Sequence, residues 1–189
     1  MGLSCFKKLN DAWFGVVLDD KRRVLSCGFS LKGREDVSKQ VLNTGPHFSE
    51  VSESENDDFA LSVLRSLSLI FQGKDPEVVP TIAFENLPAF TRESLMVTAK
   101  IPRGYVSTYG AVAAAAGRPR AARAVGNAEA RNPFAPLVPC HRVVSSTLEL
   151  GGYGGGLPVK KAFLVREGVL FEGKKVSQRC LWTPKRDSS

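Results

Sequence analysis

The chain has 189 residues and a mass of 20.5 kDa, enough for one domain or two small ones with a buried core of their own. Its composition, 43% hydrophobic and 24% charged, is that of a globular protein, and no apolar run is long enough for a membrane helix. The net charge of +7 is uneven: residues 1–99 hold 11 Lys+Arg against 14 Asp+Glu, net −3, whereas residues 100–189 hold 15 against 5, net +10. A basic half of this kind either binds a polyanion, nucleic acid first among them, or is simply a soluble basic surface.

The N-terminus, MGLSCFKKLNDAWF, lacks the apolar stretch of a signal peptide and the hydroxyl residue of a myristoylation site. Ala12 to Leu18 and Val24 to Phe29 read as strands, with the charged Asp19 to Arg23 as a hairpin loop between them. Residues 43–58 read as a polar, acidic loop. Phe59, Val63, Leu64, Leu67, Ile70 and Phe71 then recur at helical spacing, with Gly73 as the stop. Pro76 to Pro88 reads as a linker. Thr91 to Lys100 is a second expected helix, ended by Ile101-Pro102. An alanine-rich helix follows, capped by Ser107 and closed by Gly117, and a further short helix runs from Arg120 to about Ala128. Two short helices across a Gly-containing turn form a helix-turn-helix pattern. On the second, Arg123 stands alone among Ala121, Ala122, Ala124, Gly126 and Ala128. Such a face either packs closely on another helix or presses onto a narrow surface with one cationic probe. It cannot read many base edges, so it suits duplex binding through phosphate charge.

Cys140 precedes His141, the only histidine of the second half, and Pro136 and Pro139 stiffen the approach. The cysteine is either a nucleophile, with His141 and Arg142 as neighbours that lower its pKa, or a small buried core residue. In extended chain the two side chains would point to opposite faces, so either the chain turns there or a water relays the proton. The run Gly151-Gly152-Tyr153-Gly154-Gly155-Gly156 fits neither nucleotide-binding glycine pattern and reads as a flexible loop bordering a pocket. Leu157 to Gly168 reads as a helix whose Glu167 is either a surface carboxylate or the partner that orients a histidine. The cysteines at 5, 27, 140 and 180 are too few and scattered for a disulfide framework, which points to a reducing compartment.

The segments IPRGYVSTYGAVA, RPRAARAVGNA, NPFAPLVPCHRVV and GGYGGGLPVKKAFLVREG together resemble the O6-alkylguanine-DNA alkyltransferase family, over residues 101–168. The first half, 1–88, reads as a small α/β domain, a small sheet with a helix, and is compatible with the family's RNase H-like N-terminal domain. The resemblance implies a mainly α C-terminal helix-turn-helix domain over 89–182, winged-helix-like; the tail, 183–189, reads as disordered. The resemblance also implies an irreversible, single-use transfer of an alkyl group from O6-alkylguanine in duplex DNA, and from O4-alkylthymine as a further candidate substrate, to Cys140 after base flipping. By similarity His141 is the base acting through a water, Glu167 orients it, Asn132 holds the turn and Tyr109 donates to the base. Arg123 fills the vacated stack, with Ala121, Ala122, Arg118 and Arg120 on the DNA side, docked in the minor groove. Val143, Tyr153, Gly154 and Arg131 fall at the base pocket; some relatives carry a hydroxyl residue where this chain has Gly154. The expected partner is double-stranded DNA, with no membrane and no cofactor, for a monomer in the cytoplasm: at the nucleoid in a prokaryote, in the nucleus in a eukaryote. Some relatives hold a zinc ion in the N-terminal domain; here Cys5, Cys27 and His47 do not complete four ligands, so no metal is expected, and Cys5 and Cys27 either pair or sit in the core.

Overall fold

Strand β1 (Gly2–Leu9) turns at Asn10, whose φ is 53°, into β2 (Ala12–Leu18), and the Asp19 to Arg23 loop leads into β3 (Val24–Ser30). The computed structural model describes residues 2–44 and 50–184; His47 and residues 185–189 of the tail lie outside them. The two hairpins pair antiparallel, and β4 (Val51–Glu53) adds in parallel to β1, giving the order β3-β2-β1-β4. Strand β2 is buried on both faces, which explains its nearly unbroken apolar run. Val17 packs with Phe6 and with Val37 and Val41 of α1 (Arg34–Thr44) on one face. Phe14, of opposite parity, meets Phe29 and Phe71 of α2 (Asp58–Phe71), with ring centroids 5.1–6.4 Å apart. Asp57 caps α2 by accepting from the Ala60 N–H.

Two sequence expectations change in this unit, and α1 is a helix beyond them. The acidic stretch 43–58 contains strand β4 and the end of α1, not loop alone. The helix α1 itself buries only Val37 and Val41, too sparse a pattern to read. The expected linker after Pro76 is laced to the sheet: Val24 N–H donates to the Thr81 carbonyl, Ala83 N–H donates back to Val24, and Ala83 is fully buried. Cys5 and Cys27 both sit in the buried core of their strands, the second of the two expected alternatives.

The chain divides into two units, Met1–Asn86 with Pro133–Leu137, and Leu87–Asn132 with Val138–Ser189. In the second, α3 (Ala89–Thr98), α4 (Tyr109–Ala115) and α5 (Ala122–Ala130) enclose Ile101, Val112, Ala113, Val125 and Val143. Helix α4 ends at Gly117 in the left-handed region (φ 78°), where glycine is unstrained. Its cap is Thr108, which accepts from Ala111 N–H, and not Ser107; Ser107 is fully buried in β5 (Ser107–Thr108). Strand β5 pairs in parallel with β6 (Val143–Val144), so the start of α4 is tied to the segment just after Cys140. Helix α6 (Leu157–Arg166) and a hairpin of β7 (Phe171–Glu172) and β8 (Lys175–Val176) cover a second core of Val106, Val144, Leu164, Val169 and Cys180. No helix among the described residues is long and apolar enough to cross a membrane.

The short excursion Pro133–Leu137 is anchored in the first unit. Cys27 N–H donates to the Pro133 carbonyl at 2.8 Å, and Phe134, 1% exposed, meets Phe84 edge to face at 5.4 Å. Replacing Phe134 with Ala should cost about 3–5 kcal/mol of stability in urea unfolding, as for other buried phenylalanines; a loss under about 1 kcal/mol would show that the ring is not an anchor.

Candidate active site

The turn expected as one alternative at Cys140 is there. Pro139 (φ −81°, ψ 64°) makes an inverse γ-turn in which Cys140 N–H donates to the Val138 carbonyl, and residues Cys140–Arg142 form one 3-10 turn. Asn132 Nδ2 donates to the same Val138 carbonyl at 2.8 Å, and the Asn132 side chain also hydrogen-bonds the Cys140 sulfur. Asn132 thereby holds the start of the turn across the 133–137 excursion.

His141 is fully buried and stacks on Phe163 at 4.5 Å. Its Nε2 lies 2.9 Å from Glu167 Oε1. Glu167, at the end of α6, also receives Arg142 on both oxygens, Nε at 2.9 Å and Nη2 at 2.7 Å, while Arg142 Nη1 donates to the Ile101 carbonyl. Burial alone would raise the Glu167 pKa, but the His141 and Arg142 hydrogen bonds outweigh it and hold the carboxyl at about 2. An ionised carboxylate only accepts, so Nε2 carries the imidazole proton and Nδ1 keeps its lone pair. Burial pushes the His141 pKa down against the pull of Glu167, so the ring is neutral at pH 7. Nδ1 is buried and has no hydrogen-bond partner among the described residues.

The sulfur behaves differently from the expectation that His141 and Arg142 lower its pKa. Both neighbours are committed to Glu167. Burial raises the Cys140 thiol to about 12, with the Glu129 charge adding to the rise and Asn132 and Lys160 opposing it. Adjacency in sequence did not become adjacency of charge.

Cys140, 6% exposed, lines a cavity of about 520 Å³, a volume suited to a small organic group. Tyr109, Ala122, Arg123, Gly126, Glu129 and Tyr153 share its wall. Tyr109 opens α4, its hydroxyl donates to the Gly152 carbonyl at 3.4 Å, and burial lifts its pKa to about 12. A Cβ on Gly151 would sit 3.1 Å from that ring, and its φ is 66°, so glycine is required there. Arg123 is exposed and makes no ion pair among the described residues; Arg118 and Arg120 are exposed in the turn before α5.

Three pocket expectations fall elsewhere. The Val143 side chain is buried in the helical core with Val112 and Val125, away from the cavity wall. Gly154 is exposed and Arg131 caps the end of α5 facing solvent, and neither lines the cavity. Two residues went unnoticed in the sequence. Glu129 looks like an ordinary helix-surface acid but is 7% exposed. Lys160 looks like its neighbour Lys161, yet it is fully buried and donates to the carbonyls of Val143 (2.7 Å) and Gly152 (3.2 Å). Helical rotation puts one lysine of the pair inside, and no local signal says which.

Because the Glu167 pKa is depressed, its contribution to stability is present above pH 4.5 and is lost as pH falls towards 2. It amounts to roughly 3 kcal/mol at 1.36 kcal/mol per pKa unit. Glu167→Gln should be less stable at pH 7 and should lack this acid-dependent loss in urea titrations between pH 5 and 2; parallel curves for the two proteins would contradict it.

The sequence profile described as 6-O-methylguanine DNA methyltransferase, DNA binding domain, matches residues 89–169. A methylated-DNA–protein-cysteine methyltransferase of Methanosarcina acetivorans is 38% identical over 141 residues, 73% of this chain and 90% of that protein. The crystal structure of the O6-methylguanine-DNA methyltransferase from Pyrococcus kodakaraensis superposes with a TM-score of 0.62 at 28% identity, covering 89% of this chain and all of that one. The fold is also that of Mycobacterium tuberculosis OGT, crystallised in complex with DNA, with a TM-score of 0.70 at 24% identity over 88% of this chain and 92% of that one. This chain belongs to the methylated-DNA–protein-cysteine methyltransferase family.

Proposed function

We infer that the protein repairs DNA by taking the alkyl group of O6-alkylguanine onto Cys140, once per molecule. The observation that carries this is the pairing, on one 3-10 turn, of a cavity-facing thiol with a neutral imidazole whose Nδ1 is free to accept a proton. Family membership supplies the substrate class.

The reaction follows from the side chains present. Cys140 gives up its proton to His141 Nδ1, directly or through one water, and Glu167 stabilises the imidazolium that results. The sulfur attacks the alkyl carbon; the S–C bond forms as the C–O6 bond breaks, and the electron pair goes to the guanine. Tyr109, whose raised pKa keeps its hydroxyl protonated, donates to the leaving base. The product is a thioether, which water does not cleave, so the protein is consumed. The residues require no metal and no diffusible cofactor for this step.

The target oxygen lies inside the base stack, so the nucleotide must leave it. In this reading α4 and α5 are a helix-turn-helix within a winged-helix-like domain over 89–182, and the sheet of residues 1–88 is an RNase H-like domain. The small residues of α5 fit the minor groove, the exposed Arg118 and Arg120 meet phosphates, and Arg123 enters the stack. Val143, through its carbonyl, and Tyr153 border the base. The protein acts as a monomer on duplex DNA, in the cytoplasm or nucleus that holds it.

Cys140→Ala should abolish methyl transfer from an O6-methylguanine duplex while leaving duplex affinity within about twofold of wild type, because affinity comes from phosphate contacts. Methyl found on the protein after this change would move the acceptor to another residue and refute the reading.

A further inference from the structure

Helix α5 meets the cavity through alanine and glycine except at two positions: Arg123, at the exposed rim, and Glu129, which is buried. Glu129 Oε1 accepts from Thr98 Oγ1 of α3 at 2.7 Å, and Oε2 is buried without a hydrogen-bond partner among the described residues. An unpaired buried carboxylate oxygen is costly unless the group is neutral or faces a cation. The groups around it are Thr98 on α3, Tyr109 on α4, Cys140 in the 3-10 turn, Lys160 on α6, Tyr153 in the glycine-rich segment and Arg123 on its own helix. Lys160 is the buried cation among them, and its hydrogen bonds go to two carbonyls and to no carboxylate. One buried cation therefore serves two acids, the Glu129 carboxyl and the Cys140 thiol, in one desolvated space.

We propose that Glu129 is a positioning residue for charge at the nucleophile: its carboxylate competes with the Cys140 thiolate for Lys160, so the thiolate forms readily only while Glu129 holds its proton. The proposal rests on Cys140 being the alkyl acceptor. The electrostatics run the same way. Burial lifts the Glu129 carboxyl to about 7, opposed by Thr98 and Lys160. After burial, the Glu129 charge is the largest influence raising the Cys140 thiol. Burial lowers Lys160 to about 8, and its two supports are Cys140 and Glu129. The device makes the resting sulfur less reactive as pH rises through neutrality than a lone thiol would be.

The test is alkylation of Cys140 by iodoacetamide, without DNA, followed by mass spectrometry of the Cys140 peptide from about pH 6 to pH 8. Glu129→Gln keeps the shape and an oxygen for Thr98 but carries no charge. Removing a like charge lowers the thiol pKa by about one unit and raises the thiolate population about tenfold. The less basic sulfur gives back about threefold of that gain, so the variant should react roughly threefold faster at pH 8. At pH 6, where wild-type Glu129 is protonated, the two proteins should react alike. A ratio that does not change with pH, whatever its value, would assign Glu129 a packing role only and overturn the proposal. Wild type alone gives a second reading: its log rate should climb with a slope below one across about pH 6.5 to 7.5, where Glu129 charges. A slope of one throughout would overturn the proposal even if the variant failed to fold. Methyl transfer from an O6-methylguanine duplex, measured on the same wild-type sample, tests the repair function separately.

Discussion

The carboxylate of Glu167 determines the rest of the site. It is buried, yet Arg142 grips both of its oxygens and keeps it ionised. That fixed charge takes the Nε2 proton of His141 as its hydrogen bond and so decides the tautomer of the imidazole. Without it, His141 would be a buried neutral ring free to place its proton on either nitrogen. With it, the lone pair sits on Nδ1, where a proton can be received. The arginine adjacent to the histidine in sequence thus acts through the carboxylate twenty-five residues further along the chain, and not on the sulfur.

Burial dominates the nucleophile. The turn that presents Cys140 to the cavity also removes it from water, and the thiol pKa rises to about 12 in consequence. A sulfur held as the protonated thiol is quiet at rest, which suits a protein that can react only once. Asn132 and Lys160 supply the opposing stabilisation of the thiolate, one by a hydrogen bond to sulfur and the other by charge. Lys160 also fastens the Gly152 carbonyl, and Tyr109 donates to that same carbonyl, so the glycine-rich segment, the strand after the nucleophile and the start of α4 share one buried anchor.

Much of this was legible in the residues. The apolar run Ala12 to Leu18, the helical spacing from Phe59 to Phe71 and the glycine stop at 117 report local geometry, and local geometry follows from neighbours in sequence. The short strand Val51–Glu53 and helix Arg34–Thr44 were not legible, because each buries too few side chains to impose a period. The same limit applied at the site. Cys140 and His141 stood out by residue type, and the turn between them was one of two stated alternatives. The burial of Glu129 and Lys160 depends on which face α5 and α6 turn inward, a matter of tertiary packing. Val143 divides between the two for a related reason: its carbonyl receives the buried Lys160 while its side chain belongs to the helical core.

The most direct test of the account is the mass of the Cys140 peptide after mixing with excess duplex carrying a single O6-methylguanine. The account predicts a gain of one methyl group on that peptide, one equivalent of guanine restored per protein molecule, and no further turnover. An unmodified Cys140 beside repaired DNA, or repair beyond one equivalent, would contradict it.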